Sequence, residues 1–344
     1  MKLVVITQRV DPHDPVLGAT VAKLRALAAR VDELVVLALR VSDADLPDNV
    51  RVRSFDAPGP ALKAVRLLAA LAPELRGRPV AVLAHMAPVY ALVASTVTRP
   101  LRVPLLLWFT HWRASRTLQL AERVSTRVLS VNARSFPLAS RKLVETGHGI
   151  EVPDLRPPSR PSDGTLRLLA LGRTSPAKGL EVLLDAVQLL DDVPVCAELR
   201  GPSLTVEEQR HRTVLAARIA AERLEDRIEL GGSVDQSDVG SLYEQSDVLV
   251  NNMRAGALDK VVFEAAAAGL PVIVASDGFA SLVDGVGAPL RFRQDDAAEL
   301  AARVRRLYEL GPSARAAIGA ELRERVQASH SVEHWADQVV AAAR

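Results

Sequence analysis

The chain has 344 residues, a length that favours two domains, and its 49% of hydrophobic and 24% of charged residues exclude a disordered or low-complexity chain. The single cysteine, Cys196, excludes a disulfide framework and fits a reducing cytoplasm. The net charge of +2 is the sum of a basic half, residues 1–157 with 22 Lys and Arg against 13 Asp and Glu, and an acidic half with 21 against 28. This asymmetry indicates two different partners and disfavours a nucleic-acid surface. A charge imbalance without functional meaning is the alternative.

In the first half of the chain, short apolar runs alternate with stretches of helical periodicity. The strands are predicted at Val4–Thr7, Glu33–Ala38, Val50–Phe55, 80–84, 104–109 and 127–131, and the helices at Ala19–Ala29, Ala61–Leu75, 88–98 and 115–124. Strands that alternate with helices predict a parallel, doubly wound sheet. The start of the chain lacks the pattern of a signal peptide, so we expect a soluble cytoplasmic protein, and peripheral contact with the inner face of a membrane stays open.

A segment rich in proline and serine, residues 154–164, interrupts this alternation and is predicted to link a domain at residues 1–153 to a second domain at 165–325. The alternation then resumes. The strands of the second half are predicted at 165–171, 194–200, 227–230, 247–250 and 271–275, and its helices at 179–190, 206–223, 237–245 and 259–268. Because ligands bind at the carboxyl ends of such strands, two halves of this kind predict a site in the cleft between them.

The segment LLALGRTSPAKGLEVLL places two cations beside the start of a helix. A strand ends at Gly172, a short loop carries Arg173 and Lys178, and Gly179 opens the next helix. Backbone amides at a helix start together with two cations form an anion site suited to a diphosphate, although the residue order of a Walker loop is absent. Two solvated cations in an ordinary connection between strand and helix are the alternative.

A second segment, NNMRAGALDKVVFEAAAAGLPVIVAS, carries a carboxylate on an apolar helix. Gly256 and Ala257 allow close approach of a ligand, and Asp259 is suited to cap a helix that contains Glu264. A buried carboxylate needs hydrogen-bond partners, which two sugar hydroxyls would supply. An ion pair with Lys260, one turn earlier on the same helix, is the alternative reason for Glu264.

Together these motifs resemble the donor-binding half of a family 4 glycosyltransferase. GRTSPAKG precedes a helix and EAAAAGLPVI follows 85 residues later, in the order of that family's G-R-x-x-x-x-K-G loop and E-A-x-A-x-G-x-P-V-I helix. The stretches DPHDPVLGA, FTHW, GHGIEVP and HSVEHWADQVV resemble the family's glycine-containing loop, cleft histidine, hinge segment and last helices. The resemblance implies the α/β GT-B fold, in which two Rossmann-like doubly wound domains face a central cleft and a C-terminal helix, here residues 326–344, returns to the first domain.

The resemblance also implies an activity. The expected enzyme is a metal-independent, retaining hexosyltransferase that needs no cofactor and moves a sugar from a nucleotide-diphosphate sugar to an acceptor, with a lipid-linked or polysaccharide intermediate as the expected acceptor class. In this family the loop cations neutralise the diphosphate, and the helix carboxylate binds the ribose hydroxyls. The implied residues are the catalytic His111, Arg173 and Lys178, the donor-binding Gly172, Arg173, Lys178, Gly256, Ala257, Asp259 and Glu264, and the acceptor-side Gly18, His111, Trp112 and His148.

One position departs from the family's pattern. The family often has two glutamates separated by seven residues, and here Glu264 is the second while Gly256 stands in place of the first. The first glutamate normally contacts the sugar, and Asp259 is the nearest carboxylate that could substitute for it. Two alternatives therefore stay open: a non-catalytic partner subunit that binds nucleotide-sugar, which this departure motivates, and a nucleotide-sugar epimerase with the GT-B fold.

The basic side chains of the first domain are expected to bind an anionic membrane surface or a lipid-diphosphate acceptor. An ordinary solvated face is the alternative. The side chains concerned include Lys63, Arg66, Arg76, Arg99 and Arg102.

Overall fold

The computed structural model describes residues 1–12, 14, 17–77, 80–111, 113–154, 163–235 and 238–344. The chain forms two compact units, one made of Met1–Glu151 together with Ser329–Arg344 and the other of Val152–Ala328. Of the linker predicted at 154–164, residues 155–162 lie outside the described part. No helix within the described ranges is both long enough and apolar enough to cross a bilayer.

The first unit is built on a parallel sheet, to which its described residues contribute seven strands in the order β3-β2-β1-β4-β5-β6-β7. The strands are β1 (Lys2–Val10), β2 (Glu33–Val41), β3 (Val50–Ser54), β4 (Val80–His85), β5 (Leu105–Trp108), β6 (Arg127–Ser130) and β7 (Leu143–Glu145). The helices between them are α1 (Thr20–Ala28), α2 (Pro60–Leu71), α3 (Pro88–Thr98) and α4 (Arg116–Val124). All the strand pairs are parallel, as the alternation of elements predicts.

The core of this unit follows from unbroken apolar runs. Val4 and Ile6 in β1 and Val35 and Leu37 in β2 are fully buried, as strands covered by helices on both faces must be. Helix α2 begins at a proline, whose fixed φ suits the first turn of a helix, and it buries Leu67 against the sheet.

The second unit is also a parallel sheet, with five strands among the residues described and the order β10-β9-β8-β11-β12. These are β8 (Leu166–Leu171), β9 (Val195–Arg200), β10 (Ile228–Leu230), β11 (Val248–Asn251) and β12 (Val272–Val274). The helices are α5 (Glu181–Gln188), α6 (Val206–Ala221), α7 (Val239–Gln245), α8 (Lys260–Ala267), α9 (Ala280–Val283) and α10 (Ala297–Ser329). Strand addition reverses direction between β8 and β11, so the loops after these two strands diverge there and leave the crevice in which ligands of such sheets bind.

The C-terminal segment belongs to the first unit. Ile150 pairs with Ser331 in a parallel bridge, and Ser331 Oγ accepts a hydrogen bond from the first turn of α11 (Val332–Ala343). Helix α11 packs on α1, and its Trp335 is fully buried. The return of the last helix to the first domain, which the resemblance implies, is therefore observed.

Predicted and observed elements differ where short-range geometry overrides the pattern. The helix predicted at 179–190 begins at Glu181, because Pro176–Lys178 form a short 3-10 turn and Gly179 is left-handed with φ 51°. Strand β7 has three residues, too few for a periodic signal, and the pattern does not predict it. Helix α10 is kinked at Gly311, which has φ 78° and precedes Pro312, so it consists of two helical halves.

Candidate functional site

Two glycines shape the loop that follows β8 by letting backbone pack against backbone. A Cβ on Gly201, directly after β9, would lie 1.9 Å from the carbonyl oxygen of Gly172. A Cβ on Gly172, whose φ is 135°, would lie 2.7 Å from Nζ of Lys178. Gly201 has no room for a side chain, and the Lys178 side chain lies against Gly172 at the end of β8.

Lys178 is held at the ends of β8 and β11 by polar side chains. Its ammonium forms a salt bridge with Asp259, and Asn251 Nδ2 donates to the same carboxylate oxygen at 2.9 Å. A cavity of about 20 Å³ adjoins the lysine and is lined in part by Gly172 and Asn252. The two charged side chains are only 16% and 17% exposed, so an incoming anion would compete with Asp259 for a largely desolvated ammonium.

Arg173 reaches into solvent but is oriented by a buried acid. Its side chain is 55% exposed, and its Nη1 lies 3.1 Å from Oε1 of Glu208. The other oxygen of Glu208, Oε2, accepts from the backbone amides of Leu204 at 2.7 Å and Thr205 at 3.2 Å. One carboxylate therefore caps the start of α6 and also orients Arg173.

The start of α5 is fixed by Asn252, a residue that the sequence reasoning does not single out. Its Nδ2 donates to the carbonyl oxygen of Gly179 at 3.0 Å and to Asp295 Oδ1 at 2.6 Å, and its Oδ1 accepts from the backbone amide of Asp295 at 3.0 Å. The available signal is a pair of asparagines, Asn251 and Asn252, directly at the end of a buried strand where the carboxyl edge of the sheet must lie.

Glu264 lies on α8 with its side chain 17% exposed, and its Oε1 is 2.7 Å from Nζ of Lys260. The ion pair considered from the sequence is therefore present. The hydroxyl of Tyr243 on α7 is buried without a hydrogen-bond partner among the described residues. Burial, followed by the charges of Glu264 and Asp259, raises the pKa of Tyr243 well above its usual value, so this hydroxyl is a neutral donor close to two carboxylates.

Gly256 and Ala257 lie in the turn between β11 and α8. Gly256 has φ 76°, its amide donates to Asp277 Oδ1 at 2.9 Å, and a Cβ there would meet no atom within 4 Å. The position at which the family often has glutamate thus has space for a side chain but a backbone conformation that residues with a Cβ rarely adopt. Ala257 is buried, and its carbonyl oxygen accepts from Ser276 Oγ at 2.8 Å.

His111 is an exposed residue of the first unit, shortly after β5. Its Nδ1 accepts from the backbone amide of Arg113 at 2.9 Å, and its own amide donates to the carbonyl oxygen of Ser135 at 3.1 Å. Because Nδ1 is an acceptor, the neutral ring carries its proton on Nε2. Trp112, the neighbouring candidate, lies outside the described residues.

The other two acceptor-side candidates have packing explanations. A Cβ on Gly18 would lie 2.8 Å from the carbonyl oxygen of Asp14 and 2.9 Å from that of Pro12, so the loop's own backbone requires glycine. His148 is buried, and the centroid of its ring is 6.4 Å from that of Trp108. The roles of both residues toward an acceptor stay predictions.

A buried lysine lies in the same unit, and the sequence reasoning does not identify it. Lys23 Nζ is 4.1 Å from the ring centroid of Trp108 and 5.1 Å from that of Trp335, within the range of cation–π contacts. His85 stacks on Trp108 with 5.0 Å between the ring centroids. Complete burial, and secondarily the charge of Lys23, lower the pKa of His85 to about 3, so its ring is neutral near pH 7.

The structure places the candidates of the second unit in the segments that follow β8 and β11, and it joins two of them, Lys178 and Asp259, in a salt bridge. The remaining candidates belong to the first unit. The group of the second unit consists of Gly172, Arg173, Lys178, Gly256, Ala257, Asp259 and Glu264. Across the described parts of the chain, no group of three or more His, Cys, Asp or Glu side chains is arranged to hold a metal ion. The second-unit group offers cations for an anionic ligand and carboxylates for hydroxyl groups.

Comparison with protein families finds a match within the second unit. Residues 165–310 match the family model described as glycosyl transferases group 1. Mannosylfructose-phosphate synthase of Agrobacterium fabrum is 29% identical over 115 residues, which are 32% of this chain and 25% of that protein. The chain thus matches about a quarter of the length of this curated relative.

Comparison with solved structures concerns the whole chain. HepE from Anabaena, solved in complex with UDP and glucose, superposes with a TM-score of 0.75 at 18% identity over 99% of this chain and 98% of HepE. Sucrose-phosphate synthase from Thermosynechococcus elongatus gives a TM-score of 0.76 at 18% identity, again over 99% and 98%. The α/β fold of two parallel sheets predicted from the sequence is confirmed.

Proposed function

We propose that this protein transfers a sugar from a nucleotide-diphosphate sugar to an acceptor. The premise is that residues 165–310 are a group 1 glycosyltransferase domain in a chain with the GT-B fold. The observation that carries the proposal is the position of Lys178, whose ammonium lies at the ends of β8 and β11 beside Gly172. This is the crevice in which a sheet of this topology binds its ligand, and the ammonium is the group that a diphosphate requires.

The donor is held by the second unit. Lys178 and Arg173 bind the diphosphate, Glu264 accepts hydrogen bonds from the ribose hydroxyls, and Asp259 takes the place of the absent glutamate toward the sugar. Gly172, Gly256 and Ala257 give the donor access to the backbone. HepE from Anabaena was solved with UDP-glucose, which supports a nucleotide-sugar donor for a chain of the same fold.

The reaction needs little covalent chemistry from the protein. The bond between the anomeric carbon and the diphosphate oxygen breaks, and the acceptor hydroxyl oxygen bonds to the same carbon on the same face, with retention. The hydroxyl proton passes to the departing diphosphate, whose negative charge is stabilised by Lys178 and Arg173 without a metal ion or cofactor. Catalysis is then mainly positioning and electrostatic stabilisation of the leaving group.

The acceptor is assigned to the first unit. His111 is exposed, and its neutral ring carries the proton on Nε2, so it is the candidate donor of a hydrogen bond to the transferred sugar. Gly18, Trp112 and His148 complete the predicted acceptor side. The acceptor class is a lipid-linked or polysaccharide intermediate, for which the basic balance of residues 1–157 is the supporting observation.

One face of the first unit supports peripheral membrane contact at the cytoplasmic side. Helix α3 packs between α2 and α4, and the three helices bury one side on the sheet. These helices and the turn after α3 carry apolar side chains that are 43–60% exposed together with cations, a combination that suits anionic lipid headgroups. The side chains are Leu62, Val65, Val89, Leu101 and Leu120, with Lys63, Arg66, Arg99, Arg102 and Arg116.

Co-sedimentation with vesicles tests this contact. We expect binding to vesicles that contain phosphatidylglycerol and none to pure phosphatidylcholine, with loss of binding in a Val65→Ser/Arg66→Ser double variant. Equal binding to both vesicle types, or to neither, would remove the membrane from the proposal and leave the transferase activity unaffected.

Two alternatives differ from the transferase in what turnover produces. A non-catalytic partner subunit would bind nucleotide-sugar without consuming it, and Gly256 motivates this alternative. A nucleotide-sugar epimerase would release an isomerised sugar without an acceptor.

The deciding experiment is a thermal-shift and calorimetric screen against UDP, GDP, ADP and TDP and their common sugars, with and without EDTA. A selective shift that persists in EDTA and disappears in Lys178→Ala would support the donor site and identify the base. No shift with any of these nucleotides would overturn the proposal.

A further inference from the structure

The imidazole of His211 bridges the two ends of the loop that carries Arg173 and Lys178. The ring is buried on α6, and its Nδ1 lies 3.3 Å from the carbonyl oxygen of Thr174, near the start of the loop. Its Nε2 lies 2.7 Å from Oε1 of Glu181, the first residue of α5, directly after the loop. Neither the sequence motifs nor the family resemblance includes His211.

Both partners of the ring are hydrogen-bond acceptors. The carbonyl oxygen of Thr174 has no proton to donate, and the carboxylate of Glu181 has none when ionised. A neutral imidazole has one N–H and can satisfy only one of the two, whereas an imidazolium satisfies both. An imidazolium would satisfy both observed contacts, with a charge-assisted hydrogen bond to Glu181.

The charge on His211 matters because of where Glu181 lies. Glu181 is in the first turn of α5, and the N-terminus of this helix is where a diphosphate would bind. An unpaired carboxylate there would repel the diphosphate, and the imidazolium neutralises it. Two further charged groups belong to the same elements, Arg173 on the loop and Glu208, three residues earlier on α6, and they pair with each other at 3.1 Å.

We propose that His211 is a positioning residue for donor binding. Its protonated ring fixes the backbone of the loop between Thr174 and Glu181 and cancels the carboxylate beside the anion site. Binding of the nucleotide-diphosphate sugar is then tighter when the His211 ring is charged than when it is neutral. This inference rests on the proposed function, because it assigns a control to the same donor site.

The test measures the dissociation constant of a nucleotide-sugar by calorimetry between about pH 6 and about pH 8.5, the range in which imidazoles titrate. A nucleotide-sugar is used, the tightest binder from the screen, because the terminal phosphate of a free nucleoside diphosphate titrates near pH 6 and would add its own pH dependence. The variants are His211→Gln and Glu181→Gln, and His334→Gln in the first unit is the control.

For the wild-type protein we expect the dissociation constant to rise about fivefold or more across this range, in keeping with the loss of one charge-assisted hydrogen bond. His211→Gln should bind weakly at every pH, with a flat profile. Glu181→Gln should also lose the pH dependence, yet bind more tightly than wild type at the upper pH, because the repelling charge is gone. The control should follow the wild type.

Wild-type and His211→Gln profiles that rise in parallel would overturn the inference, as would a Glu181→Gln profile that follows the wild type. If His211→Gln does not fold, as judged by its circular dichroism, the half-exposed Glu181→Gln decides alone. Absence of nucleotide-sugar binding in the wild type at all pH values would instead mean that the proposed function fails, which is a distinguishable result.

Discussion

The ammonium of Lys178 is paired with the carboxylate of Asp259, 81 residues further along the chain. The candidate anion-binding cation therefore already has an internal anion, which Asn251 holds in place through a hydrogen bond of 2.9 Å to the same oxygen. A diphosphate must displace Asp259 from the ammonium or share it, so the carboxylate opposes binding of the nucleotide portion of the donor.

Replacement of Asp259 by Asn should separate these effects. We expect Asp259→Asn to bind the free nucleoside diphosphate roughly threefold to tenfold more tightly, because a charge that competes for Lys178 is removed. Turnover should fall in the same variant if Asp259 contacts the sugar. Calorimetry and initial rates measure the two quantities, with the exposed Asp226→Asn as the control. Weaker diphosphate binding in Asp259→Asn would contradict the competition.

Removal of either key side chain of the donor group should abolish most of the activity. Lys178→Ala and Glu264→Ala are each expected to lower turnover by well over tenfold, a loss of about 1.4 kcal/mol or more of transition-state stabilisation. Arg134→Ala, a loss of an exposed cation from the first unit, should change turnover little. Near-normal rates in both donor-site variants would disprove the site assignment.

Glu208 should contribute to stability as well as to donor binding. Glu208→Ala removes the carboxylate that caps α6 and should lower the free energy of unfolding by about 1–2 kcal/mol, measured in urea. Arg173→Ala should weaken donor binding at nearly unchanged stability, because its side chain is more than half exposed. Equal stability losses in the two variants would show that the cap and the arginine contact are inseparable.

The backbone packing at Gly201 can be tested with one methyl group. Gly201→Ala places a Cβ 1.9 Å from the carbonyl oxygen of Gly172 and should cost about 2 kcal/mol or more, with weaker donor binding because the end of β8 must shift. Gly240→Ala is the matched control: it lies in α7, where a Cβ meets nothing within 4 Å, and should raise stability by about 0.5–1 kcal/mol. A stable Gly201→Ala variant with normal donor binding would rule out the constraint.

Stability should fall on acidification because of buried histidines. The pKa of His85 is about 3 in the folded protein, below an unfolded value near 6.5, so between these values the unfolded state binds a proton that the folded state excludes. The contribution of His85 to the free energy of unfolding should therefore be greatest above about pH 6.5. It should decrease as the pH falls, by up to about 1.4 kcal/mol per pH unit. His330, whose pKa is lowered to about 4 by burial and by His334, acts in the same direction.

Urea unfolding of His85→Gln from about pH 7 to about pH 4.5 measures this contribution. The slope of stability against pH should be shallower than in the wild type. Gly240→Ala, which removes no titratable group, is the control, and its slope should match the wild type. Equal slopes for the wild type and His85→Gln would mean that His85 does not carry the effect.

Much of the fold could be predicted because the central strands are unbroken apolar runs. Segments such as Leu34–Ala38 have no alternative to burial on both faces, and β2 is observed there. Elements with few residues or unusual backbone geometry could not be predicted. Strand β7 has three partly exposed residues, and the kink in α10 depends on the left-handed conformation of Gly311, which a sequence does not display.

The site could be predicted only as far as its motifs extend. The loop and helix patterns predict Arg173, Lys178 and Glu264 as candidates. They do not predict Glu208, Asn252 and His211, which lie in other elements and contact Arg173 or the loop around it only through the tertiary fold. The pairing of Lys178 with Asp259 joins two motifs that the sequence presents far apart.

The return of residues 329–344 to the first unit has a consequence for the order of synthesis. The ribosome releases Val152–Ala328 before Ser329–Arg344, so the second unit is complete while the first still lacks α11. Until Trp335 arrives, the face of Trp108 and the buried Lys23 have no partner from that helix. The unit whose chain is started first is therefore finished last, and a premature stop just before Ser329 would leave the second unit intact and the first without part of its core.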